Sequence, residues 1–173
     1  MNAYRDRILG LLGADPPYEV LEATPGRLAA LVERLGEEGL GRRFGPGKWT
    51  GREVVAHLAD VEIGTGFRIR QMVTLPDHVI QPFDQDAWAR PYPALDGRLA
   101  ARTFAVLRAW NLSYYRALSP SDLARVAMHP ERGEESVELL IRMQAGHDRN
   151  HIAQLELIAG NAPPAGKDKK SRG

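Results

Sequence analysis

Residues 136–160, SVELLIRMQAGHDRNHIAQLELIAG, read as one long helix whose inward stripe turns polar in its middle. The stripe runs Leu140, Met143, His147, Asn150/His151, Gln154 and Ile158, in the three- and four-residue steps that bring side chains onto one helical face. Its two ends are ordinary core, but Gln144, His147, Asn150, His151 and Gln154 crowd the centre. Burying such groups without partners costs about 1–3 kcal/mol each, which a marginally stable fold cannot absorb several times over. Something must satisfy them. His147 and His151 stand four apart, so their rings project from one face a turn apart and can ligate the same metal ion. Gly160 is the stop signal for this helix.

A third histidine lies on another inward stripe. Thr50 and Glu53 have the spacing of a capping box, and Trp49 and Val54 that of the accompanying hydrophobic staple. The helix they start presents Val54, His57, Leu58, Val61, Thr65, Arg68 and Met72 inward and ends near Leu75-Pro76. Three imidazoles with a coordination position left open are the usual donor set of a catalytic metal centre. Arg68, three turns beyond His57, either binds an anionic group of a substrate or pairs with Asp84 or Asp86. Asp60 either orients an imidazole or is a solvated charge, and Asp148, directly after His147, is expected to point off the stripe. Asp148 also stands where the zinc-protease helix needs glutamate, which removes the simplest protease reading. His78 and His129 sit beside turns and prolines and read as turn residues. Trp88, Trp110, Tyr114 and Tyr115 read as core or pocket wall.

The rest of the chain supplies two more long helices and their connections. Tyr4 to Leu12 predicts a short leading helix closed by Gly13 and Pro16-Pro17. Thr24-Pro25 reads as a cap followed by proline at the first helical position. Leu28, Leu31, Val32 and Leu35 follow it, and Gly36 to Gly41 closes the element. Pro76 to Pro93 holds four prolines around Pro82-Phe83-Asp84-Gln85-Asp86-Ala87-Trp88, which predicts an ordered crossover packed over one end of the bundle. The third long helix spans Leu95 to Leu118, with Leu99, Thr103, Val106, Leu107, Trp110, Tyr114 and Leu118 as its inward stripe. His129 to Gly133 reads as a turn, and no segment reads as a strand. The expected fold is all-α: a four-helix bundle of the up-and-down type with a long crossover between its second and third helices. Residues 1–162 form one domain and 163–173 a disordered basic tail.

Bulk properties narrow the functions open to such a bundle. Twenty-three basic residues against 22 acidic ones leave a formal charge of +1. No overall field therefore draws in nucleic acid or an anionic membrane. Cysteine is absent, which removes disulfides, thiolate metal sites and a cysteine nucleophile. A transition metal must then rely on histidine and carboxylate. No apolar run approaches the ~18 residues of a membrane span, so the expected location is the cytoplasm.

Gly47-Lys48-Trp49-Thr50 leading into Glu53-Val54-Val55-Ala56-His57-Leu58-Ala59-Asp60-Val61-Glu62 resembles the first signature of the DinB superfamily, in its YfiT-like branch. The crossover ending in Asp86-Ala87-Trp88-Ala89 is similar to that branch, as is Gly146-His147-Asp148-Arg149-Asn150-His151-Ile152-Ala153-Gln154-Leu155. The resemblance spans about Thr24 to Ile158. It implies a four-helix bundle with a metal site at His57, His147 and His151, commonly nickel or zinc, and frequent homodimers. It also implies activities of two kinds on small-molecule substrates. One is transfer of a low-molecular-weight thiol, as in bacillithiol S-transferases and mycothiol-dependent maleylpyruvate isomerases; the other is metal-dependent hydrolysis. A non-catalytic metal-binding protein of the stress response, or a dimeric scaffold, stays open as the alternative.

Overall fold

The computed structural model describes residues 3–160. The expected basic tail at 163–173 lies outside them. Four long helices make the bundle: α2 (Pro17–Leu40), α3 (Gly51–Thr74), α5 (Gly97–Arg116) and α7 (Val137–Gly160). A leading helix, α1 (Ala3–Leu12), lies against α7. Short helices α4 (Gln85–Ala89) and α6 (Pro120–Leu123) sit in the connections. Among the described residues no helix is long and apolar enough to cross a membrane.

Cross-helix pairs give the helix directions. Arg98 and Arg116 of α5 pair with Glu33 and Glu22 of α2, so those two run antiparallel. On α3 and α7, His57 meets His151 while Glu62 meets Gln144, again antiparallel. By contrast Glu62 meets Arg108 and Arg70 meets Asn111, so α3 and α5 run parallel. Arg27 and Arg34 of α2 reach Glu156 and Ala159 of α7, so these two are parallel as well. The long crossover makes the first parallel pair possible, because it carries the chain back to the end where α3 began. It is ordered as expected: Asp84 caps α4 by accepting from the Asp86 and Ala87 N–H groups, and Tyr92 is buried.

The structure corrects several sequence expectations. A β-hairpin, β1 (Val126–His129) with β2 (Gly133–Ser136), stands where no strand is expected, and residues 129–133 form its turn. The crossover joins it, through Ile80 N–H donating to the Met128 carbonyl at 2.9 Å. α2 begins at Pro17, not at Thr24, and runs through Pro25. The Thr24 hydroxyl donates to the Val20 carbonyl, and the Leu21 carbonyl, which proline cannot serve, accepts instead from Arg108 Nη1 at 2.8 Å. Gly36, at φ 58°, interrupts the helix one turn before its end, in the backbone region that favours glycine.

α5 is rotated relative to the expected stripe. Val106 and Trp110 are 70% and 67% exposed, and Leu99 is exposed too. The inward face carries Phe104, Arg108, Asn111, Leu112 and Tyr115. Of the four aromatics expected in core or pocket wall, Tyr115 is buried, Tyr114 is half-buried under Arg70, and Trp88 and Trp110 face solvent.

Burial of Arg108 is made possible by complete pairing. Its Nε and Nη2 donate to Glu62 Oε1 (3.1 and 2.6 Å). Its Nη1 and Nη2 donate to Asp148 (2.6 and 3.1 Å), and Nη1 also reaches the Leu21 carbonyl, so five hydrogen bonds match five N–H groups. Asn111 and Gln144 donate to the remaining Glu62 acceptor positions. Asp148 therefore points into the core rather than off the stripe. Burial pushes its carboxyl above the usual range, against the pull of Arg108.

Candidate metal centre

The reciprocal cap that starts α3 is present, with Thr50 Oγ1 accepting from Glu53 N–H at 3.3 Å and Glu53 Oε2 accepting from Thr50 N–H at 2.7 Å. Two turns on, His57 faces α7. His147 and His151 face back from successive turns, and the three Nε2 atoms converge. His57 Nε2 lies 3.0 Å and His151 Nε2 3.1 Å from His147 Nε2. All three rings are almost completely buried.

These contacts cannot all be hydrogen bonds between neutral rings. Gln154 Oε1 sits 2.8 Å from His151 Nδ1, which places that ring's proton on Nδ1 and its lone pair on Nε2. A single His147 N–H can then point at only one of its two neighbours. A cation bound by all three rings removes the conflict, since it takes one lone pair from each. The spacing fits: an ion about 2.1 Å from each nitrogen needs nitrogens roughly 3.0–3.4 Å apart. Burial keeps the rings neutral, as ligation requires. It holds His57 down to about 3, with His151 adding to the effect, holds His151 down to about 4, and holds His147 well below its ordinary value.

Two cavities meet at the histidines. The larger, about 350 Å³, opens on His57 and His147 and is lined by Val61, Thr65, Arg68, Met143 and Gln144. The second, about 320 Å³, opens on His147 and His151 and is lined by Arg7, Lys48, Trp49, Asn150 and Gln154. Trp49 does more than staple the helix start: its ring packs on that of His57, centroids 4.9 Å apart. Phe83 and Gln85 of the crossover wall the larger cavity, and Tyr4 of α1 borders both.

The remaining expectations divide. Asp60 is not beside the imidazoles; it accepts from the Tyr92 hydroxyl at 2.6 Å, and it lines neither cavity. Arg68 lines the larger cavity and is not paired with Asp84 or Asp86. Its Nη2 donates to the Gln81 carbonyl at 2.8 Å and its guanidinium lies 5.0 Å from the Phe83 ring centre. His129, expected as a turn residue, is buried at the end of β1 and lines the same cavity. The buried Arg108–Glu62–Asp148 cluster behind His147 was also outside the sequence reading. Its only local sign is an acid or a base in the middle of each of three otherwise packed helices.

A family model described as the DinB superfamily matches residues 20–155. A protein of Oceanobacillus iheyensis named as a proposed metal-dependent hydrolase is 32% identical over 136 residues, covering 78% of this chain and 79% of its own. A similarly named protein of Bacillus mycoides is 30% identical over 147 residues, 82% of each chain. Among solved structures, YfiT from Bacillus subtilis, presented as a proposed metal-dependent hydrolase with an unusual four-helix bundle topology, superposes with a TM-score of 0.79. It is 25% identical over 83% of this chain and 84% of its own. The mycothiol-dependent maleylpyruvate isomerase shares the fold, at a TM-score of 0.68 and 13% identity over 90% of this chain and 63% of its own. With its signature histidines converged and its helix order matched, this chain belongs to the DinB superfamily, in the YfiT-like branch.

Proposed function

We propose that the protein is a metal-dependent enzyme in which His57, His147 and His151 hold zinc or nickel and a low-molecular-weight thiol such as bacillithiol is transferred to a small electrophilic substrate. The observation that carries this reading is the trio of Nε2 atoms converging between two cavities, with no carboxylate among the described residues bonded to any of the three rings. A divalent ion held there lowers the pKa of a coordinated thiol or water and so supplies a nucleophile at neutral pH. The chain's own residues do the positioning. Gln154 fixes the tautomer of His151, Trp49 covers His57, and Phe83 gives the larger cavity an apolar wall. Among the described residues no carboxylate is hydrogen-bonded to the three rings, and the acids that line the two cavities, Asp86 and Glu131, are exposed, which favours a thiol over a water as nucleophile. Hydrolysis is the second reading, supported by the names of the relatives.

A homodimer belongs to the same proposal, and the exposed Leu99, Val106 and Trp110 of α5 supply an apolar face for it. So does a cytoplasmic location, in keeping with a chain that has no cysteine. The test is metal content by mass spectrometry, then conjugation of a model electrophile with a panel of thiols, with and without chelator. Chelator-sensitive conjugation, lost together with the metal in His57→Ala, is expected. Stoichiometric metal without chelator-sensitive turnover of any thiol or ester would instead make the protein a binding module.

A further inference from the structure

The larger cavity has two chemically different ends. One is the histidine triangle. The other gathers Arg68 from α3 with His129 and Arg132 from the hairpin. Arg132 is answered by Glu135, whose buried carboxylate takes it through two hydrogen bonds of 2.6 and 2.8 Å. Among the described residues Arg68 has no carboxylate bonded to it. Its hydrogen-bond partner is a neutral carbonyl, its flat face lies on Phe83, and among the described residues it makes no ion pair. The buried Glu135 carboxylate acts on Arg68 from a distance but is bonded to Arg132, whose own charge opposes it, so a half-buried guanidinium at the cavity wall leaves room for an anion.

His129 points the same way independently. It is 1% exposed, and its Nδ1 accepts from the Glu131 N–H at 3.1 Å, so its proton resides on Nε2. That Nε2 has no partner. A buried N–H without an acceptor costs about 1–3 kcal/mol, and an oxygen entering between His129 and Arg68 supplies one. Glu131 also borders the cavity, but on its exposed rim, where water screens it.

We propose that Arg68 and His129 form a carboxylate-binding end of the substrate cavity, so that the substrate is a small organic acid whose carboxylate docks there. Its reacting carbon then faces the histidines. The planar guanidinium fork matches a carboxylate, and a cavity of about 350 Å³ holds a molecule of metabolite size. This rests on the metal-dependent reading for the reacting end only.

The experiment is a calorimetric titration of the full chain, both metal-stripped and zinc-loaded, with succinate, its neutral isostere succinamide, and inorganic phosphate. Succinate is expected to bind both forms, with succinamide weaker by roughly tenfold or more. Arg68→Ala and Arg68→Gln should each lower succinate affinity by a similar factor, Arg68→Lys by less. All three should keep the zinc stoichiometry and circular dichroism of the parent. The His129 ring resonances should shift on saturation with succinate. Equal binding of succinate and succinamide, or parental affinity in both Arg68→Ala and Arg68→Gln, overturns the proposal. Phosphate binding more tightly than succinate overturns the carboxylate assignment. Because the metal-stripped titration needs no ion, its failure leaves the metal centre standing. Zinc retained by His57→Ala would remove the centre and leave the titration valid.

Discussion

Gly146 and Ile8 meet backbone to backbone: a Cβ built on Gly146 would fall inside the van der Waals radius of the Ile8 carbonyl oxygen. The leading helix thus docks on α7 one residue before the first histidine of that helix, and the absence of a side chain is what lets it do so. Gly146→Ala should push α1 off its seat and cost about 1–3 kcal/mol, as overpacking does. Tyr4 and Arg7, which border the cavities, would move with it. Hydrogen exchange should show residues 3–12 losing protection while α3 and α5 keep theirs; uniform protection across all helices would contradict the contact.

Arg108→Ala strands two buried carboxylates, Glu62 and Asp148, around an empty space. The expected loss is about 3–5 kcal/mol, read as a fall in the urea midpoint. Arg108→Lys should recover little of it, because an ammonium cannot supply the five directed N–H groups this position uses. A variant as stable as the parent would mean that one of the acids is already protonated and the charge of Arg108 counts for little.

Gln154 holds His151 by its Nδ1. Gln154→Leu removes that acceptor and leaves the ring free to rotate. Metal affinity measured by chelator competition should then drop by about 10–100-fold without loss of helicity. Gln154→Glu, which keeps an acceptor in place, should retain most of the affinity. Equal affinity in all three proteins would mean that packing alone sets the ring.

The metal-free protein should weaken as pH falls below neutrality. Unfolded, each histidine titrates near 6.5; folded, burial holds His57 down to about 3, with His151 contributing, and His151 down to about 4. Between those limits the unfolded chain binds protons that the native chain refuses, so native stability drops with falling pH. The slope is at most ~1.4 kcal/mol per pH unit for each ring. Asp148 acts in the opposite sense, since its raised pKa lets the native chain take a proton first. Urea midpoints between about pH 7 and about pH 5 measure the balance, and His57→Gln should flatten the curve.

The histidine centre was legible in the sequence because its signals are local: a capping box ahead of His57, and an i, i+4 pair in the polar middle of an apolar stripe. α5 misled for the converse reason. Its apolar residues Leu99, Val106 and Trp110 trace a clean stripe, yet the face that packs is the one with Arg108 and Asn111, whose partners come from α2, α3 and α7. No window along α5 contains that information. Thr24-Pro25 misled in the same manner, since the carbonyl the proline leaves free is satisfied by a side chain from α5, 87 positions away. His129 was passed over because Pro130 beside it reads as a turn, while the strand that buries it is only four residues long.

The parallel pairing of α2 with α7 has a consequence for how the protein is made. His57 and His147 are 90 positions apart, and two of the three nitrogens arrive with the last helix of the described chain. A nascent chain emerging from the ribosome can therefore complete neither the Arg108 cluster nor the histidine triangle until α7 is out. A metal bound by all three histidines would then be acquired only after synthesis has passed residue 151, and a chain lacking α7 keeps one of the three histidines and one of the two carboxylates that pair with Arg108.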